Sequence, residues 1–440
     1  MKFSRTKNQK RVFSLIGFGL VFFIVLFHFS CQSQKGTTNE ITAITNVRIF
    51  NGENVIDEQT VVIHGAYIQS VGGEIPAGAV IIDGQGATLL PGLIDSHVHT
   101  NMDGLRDALK FGITTELEMN GHWSVKERKK ISERRDIADL RTSGMGVTAQ
   151  GGHPTQYMNA KNIFFRLFVR FFFPSVNTPD EARNLVRKEI AEGADYVKVF
   201  IEDGSCIGYS GLPTLSDDIV KAAIDEAHSH GKMTVVHATT AAAAQQAIDA
   251  GIDCLGHLFF DHIATPELID DIASSGVFVI PTLVTLSTAF GNDASWLAAD
   301  ERVSSRLDKE WLESLSRSMN VYPQGKLEDA YTTVMALHDA GVDILAGSDV
   351  SEPMPMLGGL AHGASLHHEL QLLVKAGFTP VEALRTATSV PARRFGLNDR
   401  GRIVTGARAD LLLVKGDPTV DVSETLSTIS VWRQGVQYEN

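Results

Sequence analysis

Six candidate ligands end short apolar runs in five separate parts of the chain. They are His97 and His99 in Ile94-Asp-Ser-His97-Val-His99, Lys198 in Tyr196-Val-Lys198-Val-Phe200, His237 in Met233-Thr-Val-Val-His237, His257 in Cys254-Leu-Gly-His257, and Asp349 in Asp343-Ile-Leu-Ala-Gly-Ser-Asp349. A β-strand sends alternate side chains to opposite faces, so His97 and His99 point the same way and can grip one ion together. Imidazole nitrogens and carboxylate oxygens suit zinc and its first-row neighbours. One lone histidine is more often a packed residue than a ligand, whereas six such groups at strand ends point to a metal-dependent hydrolase.

The elements that must position them alternate in kind. Strands are predicted at 93–98, 112–118, 145–150, 196–201, 233–238, 252–257, 277–282 and 342–348. Amphipathic helices are predicted between them, for instance at 124–142, 179–192, 216–230 and 241–250. Eight strands with helical crossovers fit an α/β fold, a parallel (β/α)8 TIM-like barrel over residues 91–399, whose ligands gather at the C-terminal strand ends. An open doubly wound sheet is the alternative, but it offers no ring on which strands one, four, five, six and eight converge. Short β-rich runs with Gly turns fill residues 41–90 and return at 400–440. Neither is long enough for a core alone, so the two are expected to complete one small β-sandwich from both termini.

Composition sets outer bounds. A chain of 440 residues with 43% hydrophobic content can bury a barrel-sized core, and a net charge of −13 gives no electrostatic reason to expect nucleic acid. The first thirty residues hold Lys2, Arg5, Lys7, Lys10 and Arg11 and no acid, followed by an apolar run from Val12 to Phe29. That pattern reads as an export signal, residues 1–30, ahead of a polar tether at 31–40. It resembles a bacterial lipoprotein signal, in which Cys31 becomes the lipidated first residue. His28 and Phe29 depart from the usual residues before that Cys, and an uncleaved single-span anchor is the alternative. Both versions place the protein outside the inner membrane and tethered to it. Cys206 and Cys254 then remain, too few for a disulfide framework, and Cys254 reads as a small core residue.

Leu90-Pro-Gly-Leu-Ile-Asp-Ser-His-Val-His99, Gly347-Ser-Asp349 and Gly401-Arg-Ile-Val-Thr-Gly-Ala-Arg-Ala-Asp-Leu-Leu-Leu-Val414 together resemble the amidohydrolase superfamily, over residues 41–440. The nearest likeness is to the imidazolonepropionase-related group, which includes binuclear zinc prolidases. The resemblance implies two divalent ions, zinc being the expected metal, bridged by a carboxylated Lys198. It assigns His97, His99, Lys198 and Asp349 to one ion, and Lys198, His237 and His257 to the other. It also implies a bridging hydroxide as nucleophile, with Asp349 as the proton carrier. Chemistry gives the lysine a reason: burial lowers an amine's pKa, and the neutral amine reacts with carbon dioxide. His153, in Gly151-Gly-His-Pro154, matches a position that contacts the scissile carbonyl in prolidase-like members, against the plainer reading of a histidine packed in a Gly-Pro turn. His122, His262, His362, His367 and His368 are read as solvated or structural.

The implied reaction is hydrolysis of a C–N bond in a small amide or dipeptide. A mononuclear imidazolonepropionase-like cyclic-amide hydrolase or deaminase, and a non-catalytic ligand-binding surface lipoprotein, are the alternatives. Where prolidase-like members carry a ring two residues after the fifth-strand histidine this chain has Thr239, and His257 is followed by Leu-Phe-Phe-Asp261 instead of Gly. Both departures point to a more apolar pocket, leaving an N-acyl amide, a cyclic amide or an ester open. The segment 163–173 carries six phenylalanines, with Phe164, Phe168, Phe171 and Phe172 on one helical face and Arg166 and Arg170 opposite. It reads as a lid or membrane-dipping helix, or as a helix packed on the barrel or in a homo-oligomer contact.

Overall fold

The computed structural model describes residues 40–57, 59–158 and 174–439. The leader, Cys31, the tether and the phenylalanine-rich segment lie outside them. Among the described residues no helix is long and apolar enough to cross a membrane.

Two β-sheets are built from the two ends of the described chain. One holds six strands in the order Val436–Gln437, Thr428–Arg433, Leu411–Val414, Thr88–Pro91, Arg48–Phe50, Val55–Ile56, and the other holds four, in the order Tyr67–Val71, Val61–His64, Ile41–Thr45, Val80–Asp83. The join is Leu411–Val414 running antiparallel to Thr88–Pro91. The Leu-Leu-Leu-Val run has a physical cause. Leu411 and Leu413 pack with Ile49, Ile63 and Trp432 between the sheets, while Leu412 and Val414 pack into the main core on the other side. A strand covered on both faces has no position for a polar residue.

The central part contains two parallel ladders. Leu93–Val98, Ile113–Glu118 and Asp139–Thr142 form one; Val197–Phe200, Thr234–His237, Cys254–Leu255 and Phe278–Val279 form the other. Single parallel bridges link neighbours between them: Val147 with Val199, Val279 with Ile344, and Val98 with Val350. Ile94, Leu117, Tyr196, Val235, Cys254, Phe278, Ile280 and Leu345 pack as one apolar cluster. Cys254 is thus the core residue its sequence context predicts.

Helices cover the outside. Pro179–Ala191 begins with Thr178 accepting from the Glu181 N–H, a proline in its first turn, and Asp180 and Glu181 against the positive helix end. Its Ala182, Leu185 and Val186 are buried, the spacing of an amphipathic face. The helix expected over 124–142 stops at Glu133, because Arg134 turns extended (ψ 154°) and Asp139–Thr142 joins the ladder as a strand. Conversely, residues 145–150 carry only bridges at Val147 and Ala149, and 342–348 only one at Ile344. The left-handed Gly144 (φ +64°) interrupts the ladder ahead of the first of these segments.

Candidate metal centre

His97, His99, His237, His257 and Asp349 lie at or just past the C-terminal ends of their segments, and Lys198 lies one residue into the Val197–Phe200 strand. The His97 and His257 rings lie 4.5 Å apart, His237 and His257 4.5 Å, and His97 and His99 5.7 Å, between centroids. Asp349 Oδ1 stands 3.4 Å from His97 Nε2 and 3.2 Å from His99 Nε2. One nitrogen or oxygen from each of His97, His99 and Asp349 falls within a 4.8 Å cluster, a spacing that suits a shared cation.

Lys198 is 1% exposed, and its Nζ has no hydrogen-bond partner among the described residues. Burial pushes its ammonium down to about 8. A Cβ on Gly256 would stand 2.9 Å from that Nζ, so only glycine leaves the amine its room. An unpartnered buried amine is costly unless something satisfies it. The imidazole nitrogens and the Asp349 carboxylate gathered beside it are donors that fit a divalent cation.

Three of the four histidines are hydrogen-bonded through their outer nitrogen. His97 Nδ1 donates to the Gly256 carbonyl at 2.8 Å, leaving Nε2 buried and unpartnered. His257 Nδ1 bonds Thr282 Oγ1 at 2.9 Å, and His237 Nε2 bonds Glu202 Oε2 at 3.0 Å. His99 Nδ1 lies 3.9 Å from Glu118, whose carboxylate is anchored by the Asn120 N–H and the Thr142 hydroxyl. Ligand histidines are oriented in this way, with the second ring nitrogen tied to a carboxylate, carbonyl or hydroxyl. Burial holds His97 and His257 well below the usual imidazole range and takes His237 to about 3, so these three are neutral and able to ligate. Burial would also lower His99, but Asp349 and Glu118 overrule it and carry His99 to about 9.

Two backbone positions are strained to make this geometry. Asp349 has φ +52° and Thr282 φ +48°, the left-handed region that a β-branched residue enters only under constraint. The Thr282 strain aims Oγ1 at His257. Asp95, two residues before His97, accepts from the Ser348 N–H (2.9 Å) and hydroxyl (2.6 Å), fastening the first ligand-bearing segment to the last.

His153 stacks on His237 with centroids 4.4 Å apart, beside the centre. Gln156 Nε2 lies 2.7 Å from its Nδ1, and burial keeps the ring neutral. With the amide donating, Nδ1 accepts and Nε2 carries the proton, a donor for developing negative charge.

Sequence reasoning missed Asp95, Glu118, Glu202, Gln156 and Thr282. Asp95, two residues before His97, and Glu202, four past Lys198, left a signal, since strand alternation puts each on its neighbour's face. The remaining histidines fall outside the centre. His122 and His262 are exposed; His367 bridges Thr425 Oγ1 and the Phe111 carbonyl, and His362 pairs with Glu116 at 3.3 Å.

The profile of the amidohydrolase family matches residues 88–437. The chain belongs to the amidohydrolase family. As an amidohydrolase it is a hydrolase of carbon–nitrogen bonds. It is 26% identical over 348 residues to an uncharacterised protein of Mycobacterium tuberculosis, covering 76% of this chain and 80% of that one. It is 24% identical over 388 residues to the imidazolonepropionase of Deinococcus radiodurans, covering 85% and 89%. Among solved structures, a prolidase complexed with N-methylphosphonate-L-proline superposes with a TM-score of 0.72 at 22% identity, covering 91% of this chain and all of that one. That likeness supports the α/β amidohydrolase fold.

Proposed function

We propose that this amidohydrolase is a binuclear metal enzyme that cleaves the C–N bond of a small amide or peptide, on a (β/α)8 barrel carrying a β-sandwich from both termini. The observation that carries the reading is the orphaned, fully buried Lys198 amine amid four histidines and Asp349. His97, His99 and Asp349 would hold one ion, His237 and His257 the other, and carboxylated Lys198 both. Bound divalent ions supply the positive charge that acidifies water and polarises a carbonyl oxygen.

The chain's own groups do the rest. Asp349 is placed to accept the proton lost by the attacking water and to return it to the departing nitrogen, which leaves as a neutral amine. His153 donates its Nε2–H to the oxygen on which charge develops. A mononuclear centre has no use for a buried lysine without a partner, and a binding-only protein has no use for six converging ligands. The relatives named imidazolonepropionase and prolidase support a small amide, cyclic or linear. Export and tethering through Cys31 belong to the same proposal, supported by the cationic and then apolar leader; incorporation of labelled palmitate that Cys31→Ser abolishes tests it.

The test of the reaction is a screen of zinc-reconstituted protein against dipeptides, N-acyl amino acids and lactams. Release of free amine from at least one class, abolished by a chelator and by Asp349→Asn, is the expected result. Fully metal-loaded protein inert toward all three classes would count against it.

A further inference from the structure

Glu202 is an almost wholly buried carboxylate, 3% exposed, on the chain just past the Val197–Phe200 strand. A carboxylate taken out of water in this way needs donors. They are present. Glu202 Oε1 accepts from the Gly204 N–H at 2.7 Å, and Oε2 accepts from the Thr239 hydroxyl at 2.5 Å and from His237 Nε2 at 3.0 Å. Thr239 is itself 4% exposed and two residues beyond His237, so Glu202 meets two groups from the end of the strand that carries His237.

The consequence lies in the ring. A carboxylate accepting from Nε2 fixes the proton there and leaves the Nδ1 lone pair free, and His237 Nδ1 has no hydrogen-bond partner among the described residues. The stack of His153 on the same ring blocks its rotation out of plane. We infer that Glu202, locked by Thr239 and the Gly204 N–H, is the positioning residue that sets the tautomer and orientation of His237, and through it the affinity of the second metal position. This rests on the binuclear reading above. It also gives Thr239 a task at the place where an aromatic ring would otherwise stand: its hydroxyl is spent on Glu202 and not on substrate.

Charge and shape can be separated by substitution. Glu202→Gln keeps the volume, but an amide presents only one acceptor oxygen to a site with donors on both sides, so one donor is left unmatched. Thr239→Val removes the hydroxyl at constant shape, and Thr239→Ser keeps it. The experiment is zinc titration of the whole protein against a chromophoric chelator, with far-ultraviolet circular dichroism and thermal melting as the check on folding. Wild type is expected to bind two zinc ions. Glu202→Gln should retain one at wild-type affinity and bind the second about 10–100-fold more weakly, the usual loss when a ligand histidine's outer partner is removed. Thr239→Val should show the same direction to a smaller extent, and Thr239→Ser should behave as wild type. If Glu202→Gln fails to fold, the Thr239 pair decides alone. Wild-type affinity for the second ion in Glu202→Gln and Thr239→Val, with two ions in wild type, overturns this inference and leaves the binuclear reading standing. A wild type that binds a single ion overturns both.

Discussion

Lys198 and the residues pressed against it carry the chemistry at the scale of single side chains. Replacing Lys198 with Met keeps the length and apolar stem but removes the amine that could become an anion. Metal content is expected to fall from two ions per chain toward one, read by elemental analysis of the purified protein. Gly256→Ala is the complementary change, since its Cβ would crowd Nζ to 2.9 Å while Lys198 itself is kept. The same loss of the second ion is expected, with the first retained. His153 belongs to a different step. His153→Asn should lower kcat by about 10²–10³-fold, the usual effect of losing one donor to an oxyanion, while metal content stays unchanged. A fall in metal content instead would make His153 part of the ion-holding apparatus. The six candidate ligands were legible as a set in the sequence because each closes an apolar run. Gln156 and Thr282 were not, since a hydroxyl or amide that holds a histidine has no pattern of its own until the chain folds.

At the scale of elements, the candidate ligands are carried by short strands that lead into backbone positions in the left-handed region. Thr282 sits in a left-handed conformation and leads into the helix Leu283–Ala289, whose first N–H groups donate to the buried Glu369 carboxylate at 3.0 and 2.7 Å. Thr282→Gly relieves the backbone strain, about 1–3 kcal/mol, but removes the hydroxyl on His257. Thermal stability should change little, and zinc affinity should drop about tenfold, measured by chelator competition. Unaltered affinity would show that Thr282 does not orient the ring. The existence and order of the strands could be read from apolar runs, and the helices 179–192, 216–230 and 241–250 match the observed ones within a residue or so at each end. The third segment could not. Residues 134–142 share an amphipathic pattern with the helix before them, and their entry into a parallel ladder depends on Ile113–Glu118 lying alongside. Such a partner is invisible to a local pattern.

At the scale of the described molecule, a buried charge network that the sequence did not announce ties distant parts of the chain together. Asp139 stands 2.5 Å from Arg400, 3.1 Å from Arg408 and 3.4 Å from Arg433, and Asp410 holds Arg408 and Arg433 from the other side. These groups join the strand Asp139–Thr142 to the chain that returns to the six-stranded sheet. Burial would raise the Asp139 pKa, but the guanidinium groups of Arg400, Arg433, Arg141 and Arg408 overrule it and hold the carboxyl well below its usual range. A depressed native pKa means that the unfolded chain binds the proton more readily. The stability from this group is full above the unfolded value of about 3.9 and drains away as pH falls toward the native one. Asp139→Ala removes the carboxylate shared by three buried guanidinium groups and leaves them under-compensated by Asp399 and Asp410, and should cost about 3–5 kcal/mol in urea unfolding at pH 7. It should also flatten the loss of stability between roughly pH 4 and pH 2. A cost under about 1 kcal/mol would mark the network as dispensable. The paired β segments at 41–90 and 400–440 were expected from their composition, whereas these arginines, scattered in sequence, look like ordinary surface charge until the chain is closed.

The central claim is that a modified lysine joins two ions, and carbon-13 NMR of protein loaded with zinc in labelled bicarbonate addresses it directly. The account predicts one carbamate resonance per chain that persists after dialysis, accompanies two equivalents of zinc and is missing from Lys198→Met. Zinc-loaded, folded protein with no carbamate resonance and a single ion would contradict it.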